Sequence, residues 1–515
     1  MDTREILTQF KGGTMARDQA VALLTGTPLD VPTPQPVAAD STGSTAVSTP
    51  VGRNLHERSA APEAIDNSGV DRYAVTALHA CAPSADGLDM FDAEFFGLDG
   101  EDAARLGAQQ RLLLETVWQM MEKAGHLGAR LDGLTTAHGS PRAVSLHLAG
   151  AVGGGALAGR LSALLDLRGP SHSVDSGATS FLSALHLALR TLRAGDCAAA
   201  VIAEVDTDGG GGSILVKPIT AALTTGDPVL AVIRASAAGH TGRERPAHAD
   251  ARLASQARAA ADLETTDIVV EESEAGDAQA ALGFSAFART VRQLTPGAPP
   301  PGPDGHGVAP PHRRDPQGSE PARIAALRAR DASGTSGYVI LEEHLPTGPE
   351  TYATEPDAED RDELFLLSAP TPRHLAETAR LFAGRLTDRA DAPPALAALA
   401  HALRIGRAAM ACRLAVTVRH RGELARLLDR FAEGAEDPAV RHADLREQSG
   451  RPPLVEELEE TGAYLAALWR GHHLEALTRL WLEGVDVSRG EQPTGQKLLV
   501  LPGTAMLRRP LSCGA

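Results

Sequence analysis

The sequence predicts an α/β protein with a layered core, and three observations carry that expectation. From about residue 70 to 345, apolar strand-like runs alternate with helical periods. Within that span VDSGATSFLSALHLAL (174–189) reads as a strand, a tight turn and a helix whose apolar residues recur at helical spacing. Stretches rich in Pro, Gly, Ser and Thr flank or interrupt the periodic segments without a period of their own.

Taken in order, residues 1–26 hold two short helical runs, REILTQF and ARDQAVALL, broken by Gly12 and Gly13, the pattern of a helical hairpin or docking element. Residues 27–68 are a Pro/Thr/Ser/Ala-rich stretch expected to be a disordered linker. The core, 69–345, is expected to be interrupted by loops at 238–250 and 294–320. The run PGAPPPGPDGHGVAPPHRRDPQG in the second of these excludes helix and central strand. An acidic linker at 346–360 leads to 361–515, a smaller α-rich α/β adaptor with one strand at LFLLSA, several helices and a second strand at RLAVTV. No internal sequence repeat is visible.

Composition narrows the function. The chain has 515 residues and a formal charge of −17, with 66 acidic and 49 basic residues and no dense basic cluster interleaved with aromatics, which argues against nucleic acid. Four scattered cysteines, Cys81, Cys197, Cys412 and Cys513, have neither metal nor redox spacing and do not form a disulfide framework. Neither a charged-then-apolar leader nor a long apolar run is present, so the expectation is a soluble, cytoplasmic chain with no membrane role. AGAVGGGALAGR (149–160) lacks dinucleotide spacing and reads as a close-packed turn, and DGGGGSILVK lacks the lysine–hydroxyl pair of a phosphate loop. His186 reads as a packed core histidine. His472 and His473, being adjacent, point apart, and no metal site is expected.

The strand–turn–helix at 174–189 is a seat for a nucleophile, because a helix N-terminus lowers a nucleophile's pKa and stabilises an oxyanion. Asp175, Ser176 and Gly177 supply the turn, yet the residue at the tip is Ala178.

Five segments in a fixed order resemble the ketosynthases of polyketide synthases, members of the beta-ketoacyl synthase, thiolase-like superfamily. DMFDAEFFGLDGEDAARLGAQQRLLLETVWQMMEKAG (89–125) is similar to the family's FDA-x-FFG and QQRLLLE region. LRGPSHSVDSGATSFLSALHLALRTLRAGDCAAAVIAEV (167–205) resembles its nucleophile strand, turn and helix. KPITAALTTGDPVLAVIRASA (217–237) resembles the strand pair that follows, AGDAQAALGFSAFARTVRQL (275–294) the GHTQAAAG helix, and ASGTSGYVILEE (332–343) the closing SGTNAHVILEE strand. Behind the core, LFLLSAPTPRHL, IGRAAMACRLAV and LTRLWLEGVDV with LLVLPGT resemble the adaptor of assembly lines whose acyltransferase is a separate protein. The first 26 residues resemble the helical element that precedes such modules.

The resemblance implies a thiolase-like layered core and a Cys at the turn, with two His that stabilise the enolate of a decarboxylating malonyl unit. Alignment of the family's TACSS with residues 176–180 puts Ala178 at the Cys. Ser176, Thr179 and Ser180 have no base beside them in sequence. The family's HGTGT motif, which carries the first His, has no counterpart: after the strand-like IVVEE the chain runs directly through SEAGD, so Ser273 falls nearest that His, Asp277 aligns with the second, and Arg289 keeps the charge of the family's Lys. A carboxylate at 277 opposes an enolate: like charges about 4 Å apart at an effective dielectric near 20 cost on the order of 4 kcal/mol. The core is expected to be shortened, with its opening strand unrecognised and its loops brief. The implied dimer forms across the strand Pro170, Ser171, His172, Ser173, Val174 and Asp175.

The sequence-based expectation is therefore a condensation-incompetent ketosynthase homologue acting as a dimeric scaffold or docking partner. Its implied partners are an acyl carrier protein or polyketide synthase subunits, in a homodimer or a heterodimer with an active ketosynthase. No bound cofactor is expected, and a carrier protein's phosphopantetheine is the implied ligand. The alternative is a remodelled enzyme performing a non-condensing step on a carrier-bound acyl thioester.

Overall fold

In a computed structural model of the chain, residues 72–81, 89–150, 156–206, 209–263, 269–273, 283–295, 322–345, 361–387, 395–447, 460–490, 499 and 501–510 are described. All belong to the compact unit Ala64–Ala515. The expected hairpin, both linkers and most of the 294–320 loop lie outside the described residues.

The core runs β1 (Tyr73–Cys81), β2 (Met90–Phe91), α1 (Ala108–Lys123), β3 (Val144–Ala149), α2 (Ala156–Leu165), β4 (Ser171–Val174), α3 (Ser180–Ala194), β5 (Ala199–Val205) and β6 (Gly211–Pro218). It continues through β7 (Ala231–His240), α4 (Pro246–Ala260), β8 (Val269–Ser273), α5 (Gly283–Leu294), β9 (Ile324–Arg330) and β10 (Thr335–Glu342). Nine of these strands form one sheet in the order β4-β3-β5-β6-β1-β7-β10-β9-β8.

The parallel strands β3 (VSLHLA) and β5 (AAVIAEV) read as near-continuous apolar runs because both faces are covered. On one face Leu113, Met120, Leu157 and Leu161 of α1 and α2 pack against Val144, Leu146, Leu148 and Val201. On the other, Phe181 and Leu185 of α3 with Phe284 and Phe287 of α5 cover Ala200, Ile202, Ile214 and Val216. Phe181 and Phe287 are fully enclosed, with ring centroids 5.3 Å apart, and each side chain contributes roughly 2–3 kcal/mol by burial. Gly195 ends α3 in the left-handed conformation at φ +77°, where a Cβ is disfavoured.

The strand order discloses a repeat of topology. In the first half β3 and β5 are parallel, β5 and β6 antiparallel, and β6 and β1 antiparallel. In the second half β8 and β9 are parallel, β9 and β10 antiparallel, and β10 and β7 antiparallel. The halves join where β1 meets β7, Tyr73–Val75 opposite Ile233–Ala231. Equivalent helices α3 and α5 thus meet through their phenylalanines. The repeat escaped sequence inspection because strand order constrains the polar/apolar pattern and not residue identity.

The halves are unequal. Residues 150–179 of the first half carry α2, β4 and the turn before α3. Only nine residues lie between Ser273 of β8 and Gly283 of α5, too few for a counterpart of the ten-residue α2 and the four-residue β4 together.

Three expectations are corrected. The opening strand is present: β1 lies inside the sheet, bonded to β6 and β7. The expected interruption at 238–250 is the end of β7 and the start of α4, because Pro246 initiates that helix at a position needing no N–H. The adaptor has a third strand.

That adaptor comprises β11 (Glu363–Ala369), α6 (Pro372–Thr387), α7 (Leu396–Ile405), β12 (Cys412–Val418), α8 (Arg421–Ala432), β13 (Val440–Asp444), α9 (Glu460–Arg470) and α10 (Leu474–Leu482). Its antiparallel sheet, β11-β12-β13, buries Phe365, Leu367, Leu414 and Val416 under α6, α7 and α8. The other face packs Leu364, Leu366 and Ala415 against Leu465, Leu477 and Trp481. The chain then returns to the core, where β14 (Arg509–Pro510) pairs with β2.

Core and adaptor meet over buried charge. Asp92 accepts from Phe95 N–H (3.0 Å) and Leu507 N–H and lies 2.8 Å from His374 Nε2. Glu122 accepts from the N–H and hydroxyl of Thr504 (2.8 and 2.5 Å). Arg407 adds an ion-pair contact to Glu122 at 2.8 Å without hydrogen-bond alignment, and Arg508 lies 2.8 Å from Glu115.

Candidate functional site

The strand, turn and helix around 174–189 form as the sequence indicates, with one local difference. After β4 the chain makes a 3₁₀ turn, Gly177–Thr179, before α3 begins at Ser180. Gly177 has φ +57°, and a Cβ on it would lie 2.4 Å from Asp331 Oδ1, so both backbone and space require glycine there. Ala178 stands half-buried at the tip.

The hydroxyls around it are committed. Thr179 Oγ1 donates to Ser176 C=O at 2.8 Å, and Ser180 Oγ donates to Gly177 C=O at 2.8 Å while accepting from Ser176 N–H at 2.9 Å. Thr179 and Ser180 are buried, and among the described residues no base bonds to either hydroxyl. A hydroxyl whose proton points at a backbone carbonyl is not activated for attack.

Asp331, in the hairpin turn joining β9 to β10, places its carboxylate over this turn. Its Oδ1 accepts from Ala178 N–H at 3.4 Å and its Oδ2 from Ser333 N–H at 2.8 Å. The Ser333 hydroxyl and amide hold this carboxyl below the usual carboxylate range, so it is ionised near neutrality. Asp331 is 153 residues from Ala178 in sequence, and nothing in its local pattern announces the contact.

Glu204, near the end of β5, is a second acid that sequence reading missed. Its Oε2 accepts from Phe284 N–H at 2.8 Å, capping the first turn of α5. A Cβ on Gly283 would lie 2.7 Å from that oxygen and 2.7 Å from Phe181 Cβ. Burial pushes the Glu204 carboxyl up to about 7, with the Phe284 N–H opposing the rise and Asp206 adding to it. An acidic residue ending an otherwise apolar strand was the available signal.

The other expected positions are less gathered. Ser273 closes β8 in register with Ala329, two residues before Asp331. Asp277 lies outside the described residues. Arg289 is half-buried within α5. Ser171–Val174 form the sheet's outer strand, parallel to β3 on one side, with Pro170 and Asp175 flanking it. His186 is half-buried, its Nδ1 2.8 Å from Ser236 Oγ, and burial with Arg190 and Arg193 lowers its pKa. Lys217 belongs to no phosphate loop, since its Nζ lies buried 2.5 Å from Asp227. His472 pairs with Arg361. Among the described residues no group of three or more His, Cys, Asp or Glu could hold a metal ion, and no helix is long and apolar enough to cross a membrane.

Comparison with known proteins agrees with this architecture. Residues 49–242 match the family model for the beta-ketoacyl synthase N-terminal domain, and residues 366–435 match the RhiE-like KS-MAT linker domain. The Spectinabilin polyketide synthase system protein NorC of Streptomyces orinoci is 28% identical over 68% of this chain, and the polyketide synthase PksN of Bacillus subtilis 25% identical over 80%. The chain spans only 20% and 10% of those two relatives. Among solved structures, the ketosynthase from module 1 of the bacillaene synthase of Bacillus amyloliquefaciens superposes with a TM-score of 0.67 at 19% identity, covering 85% of this chain and 99% of that one. An oxazolomycin ketosynthase domain from Streptomyces albus gives 0.62 at 24%, covering 82% and 87%.

The fold is thus thiolase-like. The chain carries a beta-ketoacyl synthase N-terminal domain at 49–242 and a RhiE-like KS-MAT linker domain at 366–435, the order of a ketosynthase region of a polyketide synthase.

Proposed function

We propose that this chain is a condensation-incompetent ketosynthase-family component of a polyketide synthase, acting as a dimeric scaffold or as a docking partner for an acyl carrier protein. The observation that carries the reading is Ala178 at the tip of the nucleophile turn, with the Thr179 and Ser180 protons donated to backbone carbonyls. Without a thiolate no acyl thioester forms, and without the thioester no condensation follows. The shortened connection between β8 and α5 supports the same conclusion, because the family's histidine-bearing HGTGT segment has no counterpart there.

The scaffold role rests on β4. Among the described residues no strand pairs with its outer edge, whose backbone groups a second chain can satisfy without any catalytic residue. The partner is a second copy or an active ketosynthase, and a carrier protein's phosphopantetheine is the ligand the family's architecture would present.

Incubation with acyl-pantetheine thioesters followed by intact-mass analysis tests the reading. The expected result is an unmodified chain. A stable acyl adduct mapped to residues 174–182 would overturn it in favour of a remodelled enzyme acting on a carrier-bound thioester.

A further inference from the structure

The nucleophile turn of the first half is held by a carboxylate from the second. Asp331 sits in a rigid hairpin turn: its N–H donates to Thr335 C=O (2.8 Å), and its C=O accepts from Gly334 N–H (2.9 Å). With Ser333 N–H fixing Oδ2, Oδ1 is directed at the Ala178 N–H and packs on the bare Cα of Gly177. That N–H lies at the tip of the turn, where it would otherwise be free to stabilise negative charge on a bound carbonyl.

We propose that Asp331 is a positioning residue that keeps this turn inert, occupying the Ala178 N–H with an internal anion and placing negative charge beside any nucleophile at position 178. The inference rests on the reading that position 178 is the nucleophile seat, and adds a second block independent of the missing thiol. A thiol placed at 178 would face a carboxylate instead of a free N–H, so its ionisation would be opposed. Among the described residues the other titratable groups close to the turn are Asp175, whose Oδ1 accepts from Gly177 N–H at 3.3 Å, His240, bonded to Ser333 C=O at 2.9 Å, and Glu204, which accepts from Phe284 N–H at 2.8 Å. All remain in every variant below, so they cancel in the comparison.

The test uses Ala178→Cys as a reporter. Iodoacetamide alkylation of the peptide containing residue 178 is followed by mass spectrometry from pH 6 to 10, in that variant and in Ala178→Cys/Asp331→Asn. The amide keeps the shape and loses the charge. The expected result is an apparent thiol pKa lower by about one unit in the double variant, with a roughly threefold faster rate at pH 7, because a less basic thiolate is also a weaker nucleophile. Equal apparent pKa values in the two variants overturn the proposal.

Should the double variant fail to fold by circular dichroism, the single variant is read at low and high salt against a free cysteine peptide. Screening of an acting carboxylate lowers the thiol pKa relative to the peptide, and a salt-independent difference overturns the proposal. The acyl-adduct measurement on the unaltered chain reads the missing nucleophile separately, so either claim can fail while the other stands.

Discussion

The turn at Ala178 and the seam between core and adaptor both gather carboxylates, and they use them in opposite ways. At the seam each buried acid meets donors suited to it: Asp92 has His374 and two N–H groups, and Glu122 has Thr504 and Arg407. At the turn, Asp331 occupies the backbone N–H of Ala178, and Glu204 caps the neighbouring helix. Charge at the seam fixes how the domains sit on each other. On the proposed reading, Asp331 fills a place where an acyl transfer would need a free donor. Such a chain would lose its reaction while keeping the packing between its domains.

The largest expected effect lies at the seam. His374→Ala leaves Asp92, 3% exposed, without its imidazole partner, and removing a hydrogen-bond partner from a buried carboxylate costs up to about 3 kcal/mol. Urea denaturation should show a midpoint shift of that size. A shift below about 0.5 kcal/mol, the range of ordinary surface substitutions, would mean that the seam is not held by this pair and would erase the contrast.

Next is the pH dependence of Glu204. Its carboxyl is raised from 4.5 to about 7 in the folded chain, so the folded state binds its proton more tightly than the unfolded state does. The stability this contributes is fully present below pH 4.5 and is lost as pH rises through 7. Glu204→Gln should remove that slope, giving a gain of up to about 3 kcal/mol relative to the parent at pH 8. Denaturation curves at pH 5 and pH 8 check the sign; a parent chain more stable at the higher pH, with no change of slope in the variant, would place an ionised Glu204 comfortably in the fold.

How much of this was legible depended on whether the cause was local. The segment 174–189 was readable because α3 buries Phe181, Leu185, Ala188 and Leu192 at helical spacing and β4 precedes it directly. β1 was not recognised because YAVTALHAC carries no glycine signature, and its place in the sheet depends on partners near 215 and 232. β13, VRHAD, lies at a sheet edge and is mostly half-exposed, so it shows no apolar alternation. Ala178 could be read from its position in a motif. Asp331 could not, since it acts through a backbone N–H 153 residues away, and Glu204 shows only as an acid ending an apolar strand, its partner N–H lying 80 residues on.

A third, smaller effect concerns association. Leu146 of β3 and Gly150 just after it donate to the Pro170 and Val174 carbonyls, so by alternation along the strand the Ser173 N–H faces away from β3. Ser173 is exposed, and a proline there removes a donor from the free edge while leaving the β3 ladder intact. Light scattering should show the parent as a dimer, or as a heterodimer when a full-length ketosynthase is co-expressed, and Ser173→Pro as a dissociated or precipitating chain. A parent that stays monomeric with every candidate partner would remove the scaffold role.

The smallest expected effect is none at all, and it separates the two regions most sharply. Ala178→Cys restores the atom that the turn lacks, and the turn, α3 and the seam should be unaltered by it. Condensation requires more than a thiol: the enolate of a decarboxylating unit needs donors, and residues 274–282, EAGDAQAAL, contain no histidine. The Ala178 N–H is meanwhile occupied by Asp331. The variant should therefore acylate itself at most slowly from acyl-pantetheine and form no carbon–carbon bond when given malonyl-carrier protein, with product followed by mass spectrometry. Measurable condensation by this single change would show that the decarboxylating half of the site survives in residues 274–282, and the loss of chemistry would then reside in one side chain.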